Sequence, residues 1–93
     1  MKIRNLLYSS GNTTGGTVCC DVRRWKTARC IFTVESAGTL VIEGSIDGIK
    51  FAPLHDSVTA SQAMSVDTFP YMRGVSSGVS GGDVVIDMMF VEG

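Results

Sequence analysis

One histidine, one tryptophan, two prolines, three cysteines and a charged fraction of only 18% leave this 93-residue chain with few tools for chemistry. Each scarcity excludes something. A lone histidine, His55, cannot build a histidine-rich metal site, and it forms no dyad with Asp56, because adjacent strand residues point to opposite faces. Cys19, Cys20 and Cys30 are odd in number and lack ligand spacing, so they read as reduced structural thiols rather than a disulfide framework. No apolar run approaches the roughly 20 residues of a membrane helix. The first sixteen residues turn polar by Ser9 and lack the continuous apolar core of a secretory signal. Also missing are a G-x-S-x-G elbow, a glycine-rich phosphate loop and the carboxylate spacing of a calcium loop. The expectation is therefore a non-enzymatic protein with no catalytic residue, no metal and no cofactor, and with no membrane association.

What is present is apolar and short-ranged. Hydrophobic residues make up 44% of the chain and mean hydropathy is +0.23. This fits either surface buried against a partner or a β-sandwich with few surface charges, and a charged fraction below the ~25% of soluble domains tilts slightly to the first. Charge is also unevenly placed. Up to Cys30 there are six cations to one anion, and from Ile31 onward two cations to eight anions. Such a split suits docking to a second copy or to a charged neighbour, unless the two sets interleave on the surface.

Breakers at Gly11–Gly16, Ala37-Gly38, Asp47-Gly48, Pro53, Pro70, Gly74, Gly78 and Gly81-Gly82 separate segments of strand length. Lys2 to Tyr8 reads as an edge strand. Thr17 to Val22 alternates with Val18, Cys20 and Val22 on one face. Ala28 to Glu35 sets Cys30, Phe32 and Val34 against Arg29, Thr33 and Glu35. Val66 to Ser76 is broken by Pro70, and Ser76 to Gly82 reads as a loop. Asp83 to Val91 ends the chain with Val84, Ile86, Met88 and Phe90 on one side and Val85, Met89 and Val91 on the other. Asp87 on that second side needs a partner, for which Arg73 is the candidate. No segment carries a helical period. The expected fold is all-β: a single antiparallel β-sandwich or jelly-roll-like domain over residues 1–93, of seven or eight short strands, with a flexible Gly/Ser/Thr-rich segment at 9–16.

The sharpest local expectation concerns TLVIEGSIDGIKFAPL (Thr39–Leu54). Asp-Gly favours a two-residue type I′ turn, and a turn at Asp47-Gly48 would place Gly44 opposite Phe51 and Ile42 opposite Pro53. Leu40, Ile42, Ile46, Ile49 and Phe51 would then share the core face, with the Phe51 ring covering Gly44.

Arg23, Arg24, Lys26 and Arg29 surround Trp25, and this is the candidate contact cluster. It reads as a protein contact with an acidic neighbour or as a solvated connection between strands. A pI near 5.6 disfavours nucleic acid. A glycan-binding module is the other binding class, with Trp25, Tyr71 and Phe69 as the aromatics that alternation leaves outside the core.

Gly38–Leu54, with Gly44, Ser45, Asp47, Gly48, Phe51 and Leu54, followed by FPYMRGVSSGVSGGDVVIDMMF (Phe69–Phe90), resembles small structural proteins of tailed bacteriophage virions. The resemblance covers the last two-thirds of the chain. It implies a virion protein assembled in the host cytoplasm that decorates or cements the head, or belongs to the collar, tail or baseplate. The implied partners are the major capsid protein or another virion protein, and the chain itself as a dimer or trimer. Gly-Ser-x-Asp-Gly also resembles a hairpin of discoidin-type sandwich modules, although the flanking cysteine pair of that group is missing.

Overall fold

The computed structural model describes residues 2–92, which form nine strands in two antiparallel sheets. In one sheet the order is β1 (Lys2–Ser9), β9 (Val84–Glu92), β4 (Trp25–Val34) and β7 (Gln62–Asp67). The other is built on β5 (Ala37–Ser45) and β8 (Tyr71–Ser80), flanked by β2 (Thr13–Thr14), β3 (Val18–Cys19) and β6 (Ala52–Pro53). The sheets face each other as a β-sandwich, as alternation predicts. Phe32, Ile86, Met88 and Phe90 from the first sheet meet Leu40, Ile42 and Met72 from the second, all of them buried. β1 lies at a sheet edge, as expected, and a bulge between Asn5 and Leu7 turns both Leu6 and Leu7 inward.

Three boundaries differ from expectation. Only Val18–Cys19 of the segment Thr17 to Val22 pairs as a strand, because residues 22–24 turn. β8 runs on to Ser80, so the stretch Ser76 to Gly82 is strand except for its turn at Gly81-Gly82. β4 begins at Trp25, three residues before the clean alternation does. A bulge between Trp25 and Thr27 shifts the phase there and sends the indole inward against Phe90, with ring centroids 6.4 Å apart.

The hairpin register is off by one residue. Gly44 pairs with Ala52 and Glu43 with Pro53, where a two-residue turn requires Phe51 and Ala52. Side-chain hydrogen bonds explain the difference. The Asp47 carboxylate accepts from the backbone N–H groups of Ile49 and Lys50 and from Ser45 Oγ, while Ser45 Oγ accepts from Gly48 N. This network organises a wider loop in which Gly48 has φ +80° and Asp47 keeps a negative φ, which a type I′ turn does not allow. Leu40 and Ile42 are buried as expected, but Ile46 is 77% and Ile49 81% exposed. Phe51 leaves the core for the outer side of the second sheet, under the Arg73 guanidinium at 3.9 Å. The ring over Gly44 is that of Phe69. A Cβ added at Gly44 would lie 2.9 Å from Phe69 Cδ1.

Segment 9–16 has partners within the chain. Thr13 and Thr14 pair with β8, Ser76 Oγ donates to the Gly11 carbonyl, and Asn12 Oδ1 accepts from Val79 N.

Candidate interaction surfaces

Three separate segments meet at one end of the sandwich. Tyr71, at the start of β8, pairs with Cys19 on one side and Ser45 on the other. Cys20 N donates to the Pro70 carbonyl. Thr68 N donates to the Lys26 carbonyl and Thr68 Oγ1 to that of Trp25. The connection at 20–26 and the loop at 46–50 are therefore neighbours, although some twenty residues separate them in sequence. Asp21 shapes the first of these. Its backbone carbonyl accepts from the N–H groups of Arg24 and Trp25, and its carboxylate accepts from Arg23 N. The last bond, with the nearby Arg23 charge, holds the carboxyl below its usual value. Arg23, Arg24 and Lys26 project into solvent, with the Arg24 guanidinium 4.5 Å from the Trp25 ring centre. From the second loop Ile46, Ile49 and Lys50 are exposed at the same end of the sandwich. The tip thus combines cations with bare aliphatic side chains on backbone that hydrogen bonds hold in place.

Of the predicted contact cluster, Arg23, Arg24 and Lys26 stay together at this tip. Trp25 is only 7% exposed, which removes the platform that a sugar or base would stack on. Phe69 is half-buried against Gly44, and Tyr71 lies beneath Gly48. Arg29 belongs elsewhere, on the outer face of the four-stranded sheet. The expected Arg73–Asp87 pair is absent, because the two residues lie on different sheets. Arg73 Nε instead donates to Glu43 Oε1 at 2.8 Å, directly across the β5–β8 ladder, and Asp87 accepts from Asn5 Nδ2 at 2.9 Å.

That outer face is the second surface. In register across the sheet run Ile3, Met89, Arg29 and Ser65, and beside them Asn5, Asp87, Ile31 and Ala63. Ile3 is 74% and Ile31 59% exposed, and an open, mainly apolar depression of about 550 Å³ lies over them. The expectation that β9 is covered on both sides is not met within the chain. Near the opposite end Tyr8 donates to Asp83 Oδ2 at 2.8 Å, which raises the phenol's pKa.

His55 completes the frame of the second sheet. Its Nε2 accepts from Ile42 N at 2.9 Å and its Nδ1 lies 2.6 Å from the Asp56 carbonyl, so the proton sits on Nδ1. The ring edge packs on Phe32. Cys30 is buried, which pushes its thiol up to about 12 and leaves it inert. Among the described residues no three His, Cys, Asp or Glu side chains are placed to hold a metal ion, and no helix is long and apolar enough to cross a membrane.

No family model and no curated protein sequence matches the chain. Its fold is shared with two phage-derived proteins of known structure. The SPBc2 prophage-derived protein YomS superposes with a TM-score of 0.81 at 11% identity, over 98% of this chain and 92% of that one. The PBSX exported protein XepA superposes with a TM-score of 0.67 at 14% identity, over 99% of this chain but 37% of XepA. At such identities the likeness is one of fold.

Proposed function

We propose that this chain is a non-enzymatic structural component of a phage particle, a decoration protein that binds the outer surface of the head through the tip bearing Arg23, Arg24, Lys26, Ile46 and Ile49. The observation that carries the reading is the tip itself, where hydrogen-bonded loops present cations and aliphatic side chains outward. Cations steer the approach to an acidic lattice surface, and desolvation of the two isoleucines adds the non-directional part of the contact. The shared fold with two phage-derived proteins supports the setting. Repetition over many lattice sites would turn a contact of modest area into a large stabilisation of the shell.

Mixing purified protein with expanded empty heads tests the proposal. Co-sedimentation at saturation and a raised shell melting temperature are expected. Both should weaken as salt rises and should be lost in an R23E/R24E variant and in I46D/I49D, each with unchanged circular dichroism. Protein that stays in the supernatant at saturating concentration rejects the head-decoration assignment.

A further inference from the structure

We infer that the outer face of the four-stranded sheet is closed in solution by a second copy of the same chain, packed face to face about a two-fold axis that runs along the diagonal from Ile31 to Met89. The inference concerns the free protein and stands whether or not the tip binds a shell.

It begins from the register of the two central strands. Arg29 lies directly opposite Met89, and Ile31 directly opposite Asp87, with all four side chains on the outer face. The face therefore has an apolar diagonal, Ile31 to Met89, and a charged one, Arg29 to Asp87. A two-fold axis along the apolar diagonal sets each Ile31 and each Met89 against its own counterpart. The same axis exchanges the ends of the charged diagonal, so that Arg29 of one copy stands over Asp87 of the other, twice. An axis along the strands would put Arg29 over methionine, and one along the charged diagonal would put arginine on arginine. One face-to-face arrangement thus satisfies both the apolar and the charged positions, which is what an isologous interface demands.

Area is consistent with this. Four strands about 4.8 Å apart make a face roughly 19 Å wide, and two such faces crossing steeply overlap over roughly 400 Å², the ground of a weak, reversible dimer. Ile3, Ala63 and Val85 extend the apolar ground around the two diagonals. Strands of the two copies would cross steeply, one of the two ways in which sheets pack face to face.

Charge exchange distinguishes this pairing from any other. Sedimentation of the wild type is expected to show a monomer–dimer equilibrium. Arg29→Asp places carboxylates over carboxylates, and Asp87→Arg places guanidinium groups over guanidinium groups. Each single variant should dimerise at least tenfold more weakly while keeping its fold. Mixed together, the two variants should form a heterodimer of near wild-type affinity, because both contacts are then between opposite charges. Ile31→Glu, which puts two carboxylates on the axis, should abolish association. A wild type that stays monomeric up to about 0.1 mM, a trimer or ring, or single variants that fail to recover on mixing would each overturn the assignment.

Discussion

At the scale of single residues, Asp47 shows how a side chain can override a backbone preference. Asp-Gly favours a two-residue turn, but a carboxylate that accepts two backbone N–H groups and a serine hydroxyl is better satisfied in the wider loop. Those bonds, led by the one from Lys50 N, hold the Asp47 carboxyl below its ordinary 3.8. A folded-state pKa below the unfolded one means the stabilisation is complete above pH 4 or so and disappears as pH falls through the depressed value. Asp47→Ala should therefore melt below the wild type at neutral pH. The gap should close as pH falls through that depressed value, as thermal scans at stepped pH would show. The residue that covers Gly44 also followed from packing rather than local pattern, since Phe69 reaches it from twenty-five positions away.

At the scale of elements, the strands with uninterrupted alternation were legible. Cys30, Phe32 and Val34 in β4 and Val84, Ile86, Met88 and Phe90 in β9 face inward as their spacing requires. Bulges hid two others. Trp25 reads as part of a connection because the extra residue before Thr27 breaks the period of two, and Leu6 and Leu7 both point inward for the same reason. The tip was half legible. Its cations stand together in sequence, but Ile46 and Ile49 join them only through the pairing of Tyr71 with both Cys19 and Ser45. His55 carries a comparable burden for the second sheet, since its imidazole is the acceptor for the Ile42 N–H. Truncation in His55→Ala leaves that donor without its partner and should cost about 1–3 kcal/mol. Urea unfolding would read this as a lowered midpoint at unchanged slope.

At the scale of the whole molecule, the charge split in the sequence does not become two oppositely charged halves. Glu43 and Arg73 pair across a ladder, and Asp21 sits among the cations of the tip. The two-layer architecture was expected, and so was the part of the core drawn from β4, β9, Leu40 and Ile42, but not the exposure of Ile46 and Ile49 or the burial of Trp25; the pairings that build the fold join distant parts of the chain. Lys2 lies beside Phe90, Ile31 beside Asp87, and the tight turns at Glu35-Ser36 and Gly81-Gly82 each carry the chain from one sheet to the other. Few of these contacts can form before long loops close, so stopped-flow refolding should fall in the millisecond-to-second range of all-β sandwiches. A microsecond phase accounting for the full amplitude would contradict that ordering of events.

The closure of β1 onto β9 has a mechanical corollary. Backbones at Lys2 and Phe90 are adjacent in antiparallel strands, so tension applied through the two ends would peel the ladder apart rung by rung instead of shearing all its bonds together. In the proposed decoration role, the protein would add little tensile strength to a shell along its backbone. Any reinforcement would have to pass sideways, through the broad faces and the tip.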